Sequence, residues 1–501
     1  MNAQQAYDQL VAHGRTSTDL ASALNLLSWD QQVLLPPAAH AGRAEQIGAL
    51  TAILHARATD PHIGQWLDAC ENSDLPRDGL SIEATNIREW RRDYDLAVKI
   101  PQDLAVALAQ AASAGQRAWE LAREENNFSA FAPHLQKMLD LSLEKAAAVG
   151  YAEEPYDALL DAFEPGETVS TIAPILDELR TATTAIINAV ADAPAPQPLP
   201  AGPYPTTAQT RLLHQITVLL GLPESASRLD VSAHPFSTCI GRGDTRITVR
   251  FDETDFTKAF FGAAHETGHS LYSLGHCNNG VYGTPMGEPV SFAVHESQSR
   301  LWENQVARSQ PFWEYALPLA ATHFPQLADL EAEDIFRAVG AITPGLIRVD
   351  ADETTYNQHI VLRFELELAL VRGELEVDDL PQAWNEKSRN ILGIIPPNDT
   401  AGVLQDVHWA AGDFGYFPTY SLGNVYAACL FEAAGKAIPN LSRHMAAGDF
   451  SSLRQWLTTT IYEKGRLLRP RDLITAATGS APTAGPLIRH LQSRASCIYG
   501  I

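Results

Sequence analysis

The chain has 501 residues, 45% of them hydrophobic, and a formal net charge of −24 from 36 Lys+Arg against 60 Asp+Glu. That apolar content fits a soluble globular core, and the acidic balance repels phosphate backbones, so no nucleic-acid partner is expected. Five cysteines (Cys70, Cys239, Cys277, Cys429, Cys497), with no CxxC pair, argue against a disulfide framework. The first residues, MNAQQAYDQLVAHG, lack a basic-then-apolar leader, and no apolar run is long enough to span a bilayer. A cytoplasmic protein with no membrane partner is therefore expected.

The first part of the chain reads as successive helices. Segments 102–123, 130–149 and 172–191 are Ala/Leu-rich, with apolar residues at three- and four-residue spacing. Gly115 and Pro133 are expected near turns or breaks. Residues 192–206, DAPAPQPLPAGPYPT, read as a Pro/Ala-rich linker. It divides an N-terminal helical layer, 1–191, from a part carrying the chemistry, 207–501, within one domain. Next come His234–Ile240 and DTRITVRF, Asp244–Phe251, around the turn residues GRG, which predict a β-hairpin. From Asp255 onward the pattern returns to helix. The fold class is mainly α, with a small sheet near the middle.

The chemistry is concentrated in DFTKAFFGAAHETGHSLYSLG, residues 255–275. Asp255 can cap a helix here by accepting its unpaired first-turn amides, and Gly275 can end it with a left-handed residue. His265 and His269, four residues apart, then share one helical face one turn apart. Two neutral imidazoles so placed can bind one Zn²⁺, and Glu266 beside them can take the proton of an attacking water. The following acidic segment, SFAVHESQSRLWENQVAR, offers Glu296 and Glu303. They are seven residues apart and nearly on one face, so spacing alone does not choose the third ligand. The other glutamate can orient a ligand histidine or pair with Arg300 or Arg308. His295 is a further, less usual ligand.

Motifs along nearly the whole length carry a more specific resemblance. They are SWDQQVLLPP with Trp29 and Asp30, PYDALLDAFEPGET at 155–168 and HPF at 234–236. Further on are Asp244, Arg246 and Thr248, the His265–His269 motif, and HESQSRLWEN at 295–304. Ile347, Arg348, Ala351 and Asp352, then Gly402, Gln405, Asp406, His408 and Trp409, complete the set. Together they resemble the thermostable metallocarboxypeptidase family of the Taq carboxypeptidase type. Val33 and Leu34 depart from the family's N-terminal element, where Thr and Met are expected.

The resemblance implies a single saddle-shaped helical molecule with a deep groove and a small sheet beside the metal. It implies Glu296 as third zinc ligand, Co²⁺ as a possible substitute, and a homodimer. The implied activity is a zinc-dependent carboxypeptidase that releases single C-terminal residues from peptides with broad specificity. His408 and Tyr420 are the candidates for the oxyanion, with Tyr416 competing, because HWAAGDFGYFPTY resembles a segment of related helical zinc peptidases. A free C-terminal carboxylate calls for a guanidinium fork, and Arg348 and Arg246 both lie in family motifs. Arg348 is followed by Asp350, Asp352 and Glu353, so an ion pair with these competes with a substrate role. His234 and Gln405 complete the candidate substrate-binding residues. His359 and Arg363 share a helical face, where packing is their expected role. A zinc endopeptidase or dipeptidyl peptidase would use the same chemistry. The rival of another class is a non-catalytic helical scaffold whose zinc is structural or absent, against which the open fourth ligand position argues.

Overall fold

The computed structural model describes residues 1–277 and 280–501. Helices dominate, and among the described residues the strands form one three-stranded sheet, β1 (Ser227–Val231), β2 (Ser237–Gly241) and β3 (Asp244–Val249). β3 is central. It pairs in parallel with β1, Ser227 opposite Thr245, and antiparallel with β2, Ser237 opposite Ile247. The predicted hairpin is thus β2 and β3, and the sequence reading missed β1. SRLDV is short and polar, and its pairing depends on a crossover rather than on a turn. His234 and Pro235 stay outside β2, with the Ser232 hydroxyl donating to the His234 carbonyl at 2.6 Å.

The three predicted helical segments are helices Gln102–Glu125, Phe128–Val149 and Val169–Val190. Gly115 and Pro133, expected at breaks, lie inside the first two. A Cβ on Gly115 would stand 2.8 Å from the Ala410 carbonyl oxygen, so the glycine permits a close crossing instead of ending a helix. Residues 192–205 are irregular but anchored. Tyr204 is buried, donates to the Pro200 carbonyl at 2.5 Å, and packs edge-on against Phe324.

Helix Phe256–Cys277 runs through the main core. Asp255 caps it, accepting from the Thr257 amide at 3.0 Å. Its buried residues lie on several faces, among them Phe260, Ala263, Thr267, Ser270 and Tyr272, as in a helix surrounded by others. Gly275 does not end it. The helix continues to Cys277, and a Cβ on Gly275 would meet the Tyr462 side chain at 2.5 Å. One face carries the sheet, with the Thr245 hydroxyl donating to Ser270 Oγ at 2.9 Å. Away from that contact, Arg246 and Arg228 lie over the Trp29 ring of helix Ala3–Val33, at 4.3 and 4.8 Å from its centroid.

Helix Phe292–Arg300 crosses the 256–277 helix at Gly268. A Cβ there would lie 2.4 Å from the Gln298 carbonyl oxygen and 2.7 Å from Ser299 Cα. Helix Pro418–Ala437 approaches the other side of the same short helix. A Cβ on its Gly423 would lie 2.6 Å from Glu296 Cγ. The 292–300 helix runs on into a π-helical turn, Leu301–Ala307, which carries Glu303. Gly268→Ala is expected to cost about 1–3 kcal/mol, because the clash is with backbone and the helices must separate. Denaturant unfolding of the two proteins measures it.

Candidate metal centre

These crossings bring three side chains together. His265 and His269 come from the 256–277 helix and Glu296 from the 292–300 helix, with one ligand atom from each lying within 4.8 Å of the others. The two Nε2 atoms face the same carboxylate oxygen, Glu296 Oε2, at 3.6 and 3.3 Å.

The far side of each ring is already held. His265 Nδ1 donates to Glu303 Oε2 at 2.9 Å. His269 Nδ1 is 2.5 Å from His295 Nδ1, and the His295 Nε2 lies 3.4 Å from Ser273 Oγ. Burial and the neighbouring histidines hold His295 well below the usual imidazole pKa, so its ring is neutral. It stands behind His269, outside the cluster. Glu303 likewise stands behind His265, so the geometry separates the two glutamates that spacing left equivalent.

Arg300 ties them together, donating from Nε to Glu296 Oε1 at 2.7 Å and from Nη1 to Glu303 Oε2 at 3.2 Å. Arg308 Nη2 adds a bond to Glu303 Oε1 at 3.0 Å. Burial opposes ionisation of both carboxyls, but Arg300 and the histidines outweigh it and hold both below the usual range. The donor set fits a divalent cation such as zinc: two imidazole nitrogens and one ionised carboxylate converge, and each imidazole is oriented from behind. Glu266 is buried beside them. Burial raises its pKa against the pull of both histidines, and no described residue donates a hydrogen bond to its carboxylate.

The segment 408–420 closes on the same place. His408 Nε2 is 3.2 Å from the Tyr420 hydroxyl, while its buried Nδ1 has no partner among the described residues. Burial lowers the His408 pKa to about 4. Burial also raises the phenols of Tyr416 and Tyr420, with the Glu296 charge adding to both, so each keeps its proton at neutral pH. Tyr416 stacks edge-on with Phe163 and Phe292, at 5.1 and 5.3 Å between centroids.

The remaining candidates are distributed differently. The Arg348 fork rests on Asp406 Oδ1, at 3.0 Å from Nε and 2.8 Å from Nη2, and Nη1 donates to the Tyr356 hydroxyl at 3.0 Å. Its partner is therefore not the adjacent acids. Asp352 caps helix Glu353–Val371, and Glu353 pairs with His490 and Arg494. Arg348 also lies 4.9 Å from the Tyr420 ring centroid, which places it beside the cluster. Arg246 pairs with Asp244 and covers Trp29, and His234 is exposed. The Gln405 amide donates to the Leu346 and Ala401 carbonyls and accepts from Arg363, so it braces the loop. Arg363 is wholly buried on Asp406, and His359 is buried nearby.

Sequence reasoning missed three supports. Tyr356 links Arg348 to Arg300, whose guanidinium lies 4.5 Å over its ring. Glu367, fully buried, accepts from Tyr156, Trp409 and the Gly415 amide and so fixes the 408–420 segment. Glu164 accepts from the Ala293 amide in the first turn of the Glu296 helix. Glu164 lies within a motif quoted above, but nothing local marks its role. Glu303→Gln removes the charge behind His265 and is expected to weaken metal binding roughly 10–100-fold, measured by competition with a chelator.

Comparison with known proteins follows the same lines. Residues 9–495 match the family model described as carboxypeptidase Taq (M32) metallopeptidase. The chain is 44% identical to thermostable carboxypeptidase 1 of Thermus thermophilus, with 100% of each chain covered. It is 35% identical to carboxypeptidase 1 of Bacillus subtilis, covering 96% of each. The crystal structure of an M32 carboxypeptidase from Deinococcus radiodurans superposes with a TM-score of 0.95 at 38% identity, covering 99% of this chain and 100% of the other.

Proposed function

The chain belongs to the carboxypeptidase Taq (M32) metallopeptidase family and is a metallocarboxypeptidase, and within that family we propose that it uses zinc, held by His265, His269 and Glu296, to release single C-terminal residues from peptides with broad specificity. The observation that carries the reading is the convergence of both Nε2 atoms on Glu296 Oε2, at 3.6 and 3.3 Å. Zinc, or Co²⁺ in its place, supplies Lewis acidity, lowering the pKa of a water toward neutrality and polarising the scissile carbonyl.

Glu266 accepts the proton of the attacking water and returns it to the leaving amine. Its freedom from protein hydrogen bonds and its burial support this role, because a desolvated carboxylate is a stronger base. The Tyr420 hydroxyl and His408 offer hydrogen bonds to the oxyanion that develops on the carbonyl, and Tyr416 lies close enough to share that work. Arg348, aligned by Asp406 and Tyr356, receives the substrate's terminal carboxylate through the N–H groups those partners leave over. Its position over Tyr420 favours it against Arg246, which lies over Trp29 beside the sheet. Gln405 acts through Arg348 by holding its backbone amide at 3.3 Å.

Glu266→Gln is expected to retain one metal per chain and to lose about a hundredfold or more in kcat, measured by metal analysis beside steady-state kinetics. Turnover surviving in that variant would remove Glu266 as the base. Amidating the C-terminus of a peptide substrate is expected to abolish cleavage, and Arg348→Lys to lower kcat/KM on the free acid at least about tenfold. Undiminished cleavage of the amide would turn the reading toward an endopeptidase.

A further inference from the structure

Two thiols sit side by side at the far end of the metal-bearing helix, away from the centre described above. Cys277 is the last residue of the 256–277 helix and Cys239 lies in β2. Their sulfurs are 3.4 Å apart across 38 residues of chain. The other cysteines have different surroundings. Cys70 donates to the Ala3 carbonyl, Cys429 donates to the Thr483 carbonyl, and Cys497 is exposed. Cys70 and Cys429 are buried, whereas Cys239 and Cys277 are both partly exposed.

The frame around the pair is well tied. Ser237 Oγ is 2.8 Å from Ser270 Oγ, fixing β2 against the helix, and the Asn25 amide donates to the Cys239 carbonyl at 3.1 Å. An S–S bond is about 2.05 Å long, so the two sulfurs need to close by little more than an ångström. The two thiols are also unequal. Cys239 donates to the Gly241 carbonyl at 3.5 Å, which leaves the Cys277 S–H to face the Cys239 sulfur; that bond lowers the Cys239 pKa and, with burial, raises Cys277. The acceptor sulfur, Cys239, is the one placed to attack, and Cys277 the one placed to resolve.

We propose that Cys239 and Cys277 are a site of reversible covalent modification, a dithiol that hydrogen peroxide converts to a disulfide stapling β2 to the last turn of the metal-bearing helix. The Cys239 thiolate attacks a peroxide oxygen. The O–O bond breaks, an S–O bond forms, and the hydroxide released takes a proton to become water. The Cys277 sulfur then attacks the sulfenic sulfur. The S–S bond forms as the S–O bond breaks, and the departing oxygen leaves as a second water with the Cys277 proton. Two thiols are oxidised by two electrons and one peroxide is reduced to two waters. The bond closes a long loop and therefore restricts the unfolded chain.

The test uses the full chain, reduced with a phosphine, freed of it, treated with stoichiometric hydrogen peroxide, then alkylated in denaturant without reductant and mapped by mass. The peptides carrying Cys239 and Cys277 are expected cross-linked, lighter than their sum by two hydrogens, with Cys70, Cys429 and Cys497 alkylated. Phosphine is expected to restore both thiols. The oxidised chain should melt at a higher temperature than the reduced one, and Cys239→Ser should show neither cross-link nor shift. Recovery of both cysteines alkylated, a sulfinic acid at Cys239 without the cross-link, or bridging through Cys497 between chains would overturn the assignment. A cross-linked chain melting with the reduced one would overturn the staple. Should Cys239→Ser fail to fold, the peptide map of the unaltered chain decides alone.

Discussion

Everything in the centre depends on how closely three helices can approach one another. Glu296 is short for its task. It must cross from its own helix to two imidazoles on another, and a carboxylate spans only a few ångströms. Gly268 and Gly423 make this possible by removing a side chain on each side of the 292–300 helix. The first lets backbone touch backbone, and the second leaves room for the Glu296 methylenes. A helix interior with glycine is locally weaker by roughly 1 kcal/mol than one with alanine. Here that loss is offset by packing, because the close crossings bury the helices on both sides.

Electrostatics then refine what packing places. The cluster is built as layers of alternating sign: imidazoles toward the cation position, Glu296 and Glu303 around them, Arg300 and Arg308 behind the glutamates. Glu296, Glu303, Arg300 and Arg308 each have an opposite partner within hydrogen-bonding distance, which is how ionised groups remain tolerable away from water. The same logic repeats next door, where Asp406 lies between Arg348 and Arg363. Tyr356 joins the two networks, so the candidate metal ligands and the candidate carboxylate anchor share one frame.

The metal helix was legible because its information is local. The four-residue spacing of His265 and His269 and the cap at Asp255 are written within one segment, and the helix formed as the pattern requires. The choice between Glu296 and Glu303 was not legible by spacing. It turns on the π-helical turn at 301–307 and on a crossing fixed by Gly268, and neither has a local signature. The pairing of Arg348 failed for the same reason: three acids lie within five residues of it, yet it binds Asp406, 58 residues away. Gly275 was misread because a glycine that makes room for Tyr462 looks, in sequence, like one that ends a helix. β1 was missed because a short polar strand gains its identity only from the neighbour it pairs with.

The helices within residues 3–99 have a core of their own, whereas those from 102 to 190 belong to the main one. Ala6, Tyr7, Leu10, Ile63, Leu67, Cys70 and Ile87 form a small cluster separate from the main one. The Trp29 ring, covered by Arg228 and Arg246, is one of the contacts between that layer and the sheet. So small an apolar cluster gives the layer a lower free energy of opening than the body it rests on. Amides in the first helices are therefore expected to exchange with solvent through partial opening sooner than those of the 256–277 helix, whose apolar residues lie in the main core. A segment of the chain can loosen and return without disturbing the histidines.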